Sequence, residues 1–458
     1  MIFSSVFFVW IFLPTVIALY YVSSLIFRND PENKIKANNV LLLIASLVFY
    51  GLGGYRYLFL LLAVLLINYF GARVAGKGIR TAMIITVMAD IGLLSVFKFA
   101  DTFTDIILPL GISFYIFQSV SYVVDVYQKK TEIQTDFIKF SLYVSFFPQL
   151  VAGPIVKYTD IEKQLSGRVT STDRFFDGMI RFCMGMAKKV LIANTLAKPV
   201  DAIFNGQIKG LGAVVTWFGA ICYILQLYYD FSGYSDMAIG LAKIFGFELK
   251  ENFDHPYASS SIQEFWRRWH ISLSNWFKEY VYIPLGGSRC KRSRIVINLL
   301  IVFALTGIWH GAKLTFVTWG LFNGLLIITE RILTGDLLKK NPVKILNRLY
   351  TLCMVTIGFA VFRSESMSQA LLYLKEMFSK GSGAYTIFSY FSMRVMIALL
   401  AGMTVAFPIY TTAQKRFESG KYKTVWENVS ALLALILLAL SMVEIIAGSY
   451  NPFLYFQF

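Results

Sequence analysis

The stretch Ile295–Gly311, IVINLLIVFALTGIWHG, is apolar over nearly the length needed to cross a bilayer core, and it closes on Trp309, His310 and Gly311. A second apolar run begins almost at once, at Leu314. An imidazole set so deep costs desolvation free energy. Titratable rings at that depth are usually kept for proton movement or for binding a polar ligand. His310 is therefore the first candidate for the functional centre; the competing reading is a helix-end histidine bonded to a backbone carbonyl.

Outward from this stretch the same character holds along the chain. Of its 458 residues 57% are hydrophobic and 16% aromatic, while only 15% are charged. Mean hydropathy is +0.60. A soluble domain carries roughly a quarter charged residues, so the composition predicts a polytopic, all-helical membrane protein. We count about eleven to thirteen runs approaching the roughly 20 residues of a helical span. Apolar runs, some of them too short to count as spans, lie near 6–25, 39–53, 57–72, 80–97, 106–126, 138–153, 176–197, 211–229, 234–247, 295–310, 314–333, 349–362, 391–411 and 429–447. The first lacks a basic leader and a small-residue cleavage site, so it is expected to be a retained helix rather than a signal. Interruptions at Gly51–Gly54, Pro109–Gly111 and Pro148–Pro154 predict re-entrant or half-depth helices. Neither a domain boundary nor an internal repeat is visible, and a single membrane domain over 1–458 is expected.

Cys183, Cys222, Cys290 and Cys353 stand singly, which argues against a CxxC metal pair or a disulfide framework. The net charge of +16 is read first as a positive-inside bias. Clusters at Arg73, Lys77 and Arg80, at Arg174, Arg181, Lys188 and Lys189, at Arg289–Arg294 (RCKRSR) and at Lys415–Lys423 would mark cytoplasmic loops. Some of these cations could also meet a polyanionic cytosolic substrate such as a coenzyme A thioester. No basic stripe lies on a soluble module, which argues against nucleic acid.

One polar interruption is long, Glu251–Arg294, with Trp266, Trp269, Trp276 and a Pro-Leu-Gly-Gly turn at 284–287. Such a stretch suits helices lying along the interface or dipping into a cavity. His255, His270 and His310, all three histidines, fall within or just after it. If Arg294 marks the cytoplasmic surface, the helical rise carries His310 ~24 Å inward, and His270, in FWRRWHISLS, sits nearer the cytosol. Two imidazoles at different depths suggest a path through the membrane, although a Trp- and Arg-flanked His270 could equally anchor an interfacial helix. Arg267 and Arg268 are candidates for steadying phosphates, against intraprotein pairing with Glu264 or Asp254. Trp309 is expected in a tunnel wall or in core packing. Asp230, Ser232, Tyr234 and Asp236 form a polar knot between two apolar runs, read as a structural network lining the cavity. Gln149 and Pro154 mark a broken helix, and Asn323 either bonds neighbouring backbone or touches substrate.

The residues at 1–14 (MIFSSVFFVWIFLP), 108–127 (LPLGISFYIFQSVSYVVDVY), 146–161 (FFPQLVAGPIVKYTDI), 228–249 (YYDFSGYSDMAIGLAKIFGFEL), 251–289, 305–324 (LTGIWHGAKLTFVTWGLFNG) and 451–458 (NPFLYFQF) together resemble the membrane-bound O-acyltransferases. Within that family the likeness is to the bacterial branch serving alginate and peptidoglycan O-acetylation. The resemblance implies an all-α fold of about eleven transmembrane helices, with re-entrant and interfacial helices around a central tunnel. It places His310 on the family's near-universal catalytic histidine and His270 on a second, less uniform one. It further implies acetyl-CoA as donor, no bound cofactor or metal, lipid surroundings, the bacterial inner membrane, and an extracytoplasmic SGNH-type acetyltransferase as partner. A neutral imidazole near its ordinary pKa suits general-base removal of a hydroxyl proton, which assigns His310 as base, with a covalent acyl-imidazole as the less favoured course. His270 would orient the donor, polarise its carbonyl or assist proton transfer. Two rivals stand beside an enzyme: a transporter of an acyl carrier or polar solute, which should show repeat symmetry, and a scaffold subunit, which would not need the histidine pair.

Overall fold

The computed structural model describes residues 2–100, 108–334, 343–383, 385–409, 417 and 423–448. The motif at 451–458 and most of the basic cluster at 415–423 lie outside the described residues. Among the described residues the chain is all-helical. Eight helices are long and apolar enough to cross a bilayer: 8–26, 31–51, 55–75, 80–99, 212–244, 292–310, 344–363 and 423–446. Apolar side chains such as Phe59, Ile85 and Val443 stand exposed on these helices, as expected where the solvent is hydrocarbon.

The chain packs as two units. One draws its described residues from 1–186, 234–251 and 434–449, the other from 187–233 and 252–433.

In the first unit, α1 (Leu13–Ile26), α2 (Pro31–Gly51), α3 (Tyr55–Ala75) and α4 (Arg80–Ala100) precede α5 (Ile112–Tyr127). Asp30 caps α2, accepting from Asn33 N, and Pro31 at the first helical position has no amide hydrogen to leave unpaired. The Pro148–Pro154 region breaks as its sequence predicts. The helix α6 (Phe137–Ser145) stops, a single turn α7 (Phe147–Leu150) follows, and irregular chain leads to α8 (Tyr158–Ser166). The buried Gln149 carboxamide donates to the freed Tyr143 carbonyl at 2.6 Å. Arg168 knots this unit: it donates to Asn39 Oδ1 (2.6 Å) and to Phe245 O (3.1 Å) and lies over the Phe247 ring.

Two expectations are corrected. Runs 211–229 and 234–247 are one continuous helix, Gly212–Ile244, so the polar knot sits inside a helix and not between two. The helix survives because its carboxylates find cations: Asp230 pairs with Lys189 at 2.6 Å, and Asp236 pairs with Arg181 at 2.8 Å. Nor are Arg174, Arg181, Lys188 and Lys189 loop residues. They ride on α9 (Thr172–Ala187) and the π-helical turn Lys188–Ala193, which runs into α10 (Asn194–Phe204). Lys189 is 1% exposed; a buried ammonium is tolerable only when paired.

In the second unit an aromatic and aliphatic core gathers Leu196, Phe204, Tyr223, Phe265, Phe303, Trp319 and Phe359. After α11, which is the helix Gly212–Ile244, the polar segment folds into two short helices, α12 (Ile262–Arg268) and α13 (Ile271–Phe277). Then come α14 (Arg292–His310), α15 (Leu314–Thr329), α16 (Lys344–Arg363) and α17 (Met367–Glu376).

Candidate active site

The helix α14 ends at His310 because Gly311 takes φ 148° and ψ −179°, a conformation open only to glycine. Ala312 and Lys313 complete the link to α15. The two helices touch backbone to backbone: a Cβ on Gly307 would strike the Phe316 carbonyl, and one on Gly320 would strike the Phe303 carbonyl. Small residues are what allow such approach between membrane helices. The hairpin fixes the height of His310 relative to α15.

The His310 ring is flanked by the aromatic rings of Trp309, Phe362, Trp319 and Phe316, with centroids at 4.6, 4.9, 5.3 and 6.2 Å. Phe362 comes from α16, so three helices build this box. His310 is 9% exposed against 3% for His270, and both residues are buried.

His270 is the residue between α12 and α13, in the left-handed region at φ 44° and ψ 55°. Its ring meets Phe231 edge-on at 4.6 Å and Trp309 at 6.3 Å. Trp309 thus stands against both imidazoles, the ring common to the two candidates. Burial pushes His270 down from 6.5 to about 3, so the ring is neutral at physiological pH.

Polar contacts with α15 hold α12 in place. Ser261 caps the helix, accepting from Glu264 N at 3.0 Å, and the Glu264 carboxylate accepts from Ser260 N, one residue before the cap, at 2.8 Å. Glu330, fully buried just past α15, accepts from Ile262 N (2.6 Å) and Gln263 N (3.0 Å). A carboxylate there also meets the positive end of the short helix. Trp266 Nε1 donates to Asn323 Oδ1 at 3.2 Å, and Asn323 Nδ2 donates to Trp319 O at 2.9 Å. The Asn323 carboxamide is thereby engaged on both sides within the protein.

The structure brings His270, Trp309 and His310 together. It separates the two arginines in role: Arg268 pairs with Glu264 (2.9 Å) and Asp254 (3.4 Å), while Arg267 is exposed. Asp230 acts through its pair with Lys189, one residue before the Phe231 that contacts His270. Among the described residues no group of three or more His, Cys, Asp or Glu is placed to hold a metal ion. Sequence reasoning missed Asn252, whose Oδ1 lies 3.3 Å from His270 Nδ1, and Glu330. The second had a signal, an acid at the end of an apolar run; a lone asparagine at the start of a polar loop has none.

The family model for the membrane-bound O-acyltransferases matches residues 132–362, which contain every residue of this constellation. Over the full length of both chains the sequence is 38% identical to the "Probable alginate O-acetylase" of Pseudomonas putida and 36% identical to that of Pseudomonas aeruginosa. It is 33% identical to the "Peptidoglycan O-acetyltransferase" of Helicobacter pylori, over 82% of this chain and 80% of that one. With its apolar helices and this likeness, the protein is a multi-pass membrane O-acyltransferase, and it belongs to the membrane-bound O-acyltransferase family.

Proposed function

We propose that this protein takes an acetyl group from acetyl-CoA and passes it across the bacterial inner membrane for O-acetylation of an extracytoplasmic cell-surface polysaccharide, with His310 as general base. The observation that carries the reading is the His310 ring at the end of a membrane-length helix, boxed by Trp309, Phe316, Trp319 and Phe362. Relatives named for alginate and peptidoglycan acetylation support the acetyl group and the polysaccharide class.

In the reaction His310 removes the proton of an acceptor hydroxyl, the oxygen attacks the thioester carbonyl, and a new ester C–O bond forms as the C–S bond breaks. The proton held by His310 then goes to the departing thiolate, giving the free thiol. His270, neutral and less exposed, orients the donor or assists that proton transfer. Exposed Arg267 is suited to the phosphates of the donor, and Trp309 shapes the wall between the two imidazoles. An SGNH-type acetyltransferase on the far face would place the acetyl group on sugar hydroxyls. The test is acetyl-CoA turnover by purified protein in nanodiscs, for wild type, His310→Ala and His270→Ala, with and without the partner. Wild-type turnover lost on removing His310 is the expected result. Undiminished turnover in that variant removes His310 from the chemistry, and altered solute flux without thioester cleavage would make the protein a transporter.

A further inference from the structure

Asn252 is fully buried, and it faces the segment that carries His270. Its backbone carbonyl accepts from Ile271 N at 2.9 Å, and two residues on, Asp254 N donates to Arg268 O at 2.9 Å. These two rungs bracket His270 and hold it in the left-handed region, where few non-glycine residues settle without support. The side chain then makes three contacts through one atom. Asn252 Oδ1 lies 3.2 Å from Ser272 N, 2.8 Å from Ser272 Oγ and 3.3 Å from His270 Nδ1.

The backbone amide decides the chemistry. A main-chain N–H can only donate, so the carboxamide atom facing Ser272 N is the oxygen and not the NH2 group. His270 Nδ1 looks at that same oxygen, so it must carry the hydrogen. In a neutral imidazole the in-plane lone pair then belongs to Nε2.

We propose that Asn252 is a positioning residue that fixes His270 as the Nδ1–H tautomer and so leaves Nε2 as the lone-pair nitrogen, which accepts a hydrogen bond during acyl transfer. The part concerning acyl transfer rests on the reading of His270 given under Proposed function; the tautomer does not. Burial keeps the ring neutral and so lets a tautomer be defined at neutral pH.

The test is magic-angle-spinning NMR of the full chain, labelled with 15N at histidine only and reconstituted in lipid bilayers. The chain has three histidines, and the His270 pair of ring signals is identified by its loss in His270→Gln. A neutral ring protonated on Nδ1 is expected; a proton on Nε2, or an imidazolium at pH 7, overturns the proposal. Asn252→Asp keeps an acceptor oxygen and should keep the Nδ1–H form. Asn252→Leu should populate the Nε2–H form and lower kcat for acetyl transfer roughly tenfold or more with KM for acetyl-CoA little changed. Asn252→Leu with an unchanged tautomer and full kcat overturns the assignment. If that variant does not fold, the wild-type and Asn252→Asp spectra still decide. Wild-type turnover in His270→Ala beside an Nδ1–H spectrum would sink the catalytic reading of His270, and with it the reaction role of Asn252, while leaving the tautomer standing.

Discussion

The α14–α15 hairpin and the polar segment 251–294 each deliver one histidine to the side of Trp309, and they do so by opposite means. The hairpin places His310 with regular backbone: two apolar helices, a glycine stop and glycine contacts that leave no space for sliding. The polar segment has little regular backbone to offer. It places His270 with side chains, through Asn252, the Ser261–Glu264 cap, Glu330 and the Trp266–Asn323 bond. A membrane helix can set depth by its length alone, but an irregular buried segment must satisfy each freed amide individually. The second solution is the more fragile, because each of its hydrogen bonds can be lost by a single substitution.

The largest effect should come from the hairpin's own cargo. His310→Ala is expected to cut acetyl-CoA turnover by ~10²–10⁴-fold, the usual worth of a general base, with yield and gel-filtration profile unchanged; a deficit under tenfold breaks the assignment. Gly320→Val should separate α14 from α15 and prevent a stable protein from being purified, since the added carbons meet the Phe303 carbonyl. Normal thermal stability in that variant would show that the hairpin is not the rigid half. Glu330→Ala leaves two helix-end amides without their acceptor and is expected to cost about 2–4 kcal/mol, read as a lowered Tm together with reduced turnover. Glu330→Gln, which keeps one acceptor oxygen, should fall between.

A smaller effect is expected in acid. The folded pKa of His270 lies near 3 while its unfolded value is near 6.5. Between these values the unfolded chain binds the proton and the folded one does not. The contribution to stability is therefore complete above about 6.5 and is lost as pH falls toward 3, at up to ~1.4 kcal/mol per pH unit. His270→Gln should flatten the fall in Tm between pH 7 and pH 5 relative to wild type, and parallel curves would contradict the burial of the ring. The smallest change is Asn323→Leu, about 1 kcal/mol for a neutral hydrogen bond, with KM for acetyl-CoA unchanged if the carboxamide serves Trp266 and not substrate.

The contrast also explains what was legible in the sequence. Apolar length announced α14, and the Pro148–Pro154 interruption announced the break after α6, because both are properties of local composition. The continuity of α11 through Asp230 and Asp236 was not legible, since it depends on Lys189 and Arg181 arriving from far along the chain. Arg268 showed its partners through spacing, with Glu264 one turn away on the same helix. Asn252 could not be found, since its partner lies eighteen residues on and the contact exists only because His270 adopts a left-handed turn.

Trp309 has an optical consequence. Its indole stands against two imidazoles, at 4.6 Å and 6.3 Å between ring centroids, and indole emission responds to charge at such range. A proton or a thioester arriving at either histidine should therefore change the intensity or colour of Trp309 fluorescence. Trp309→Phe subtraction would isolate that signal from the other seven tryptophans of the chain's 8, giving a label-free clock for donor arrival in single-turnover experiments.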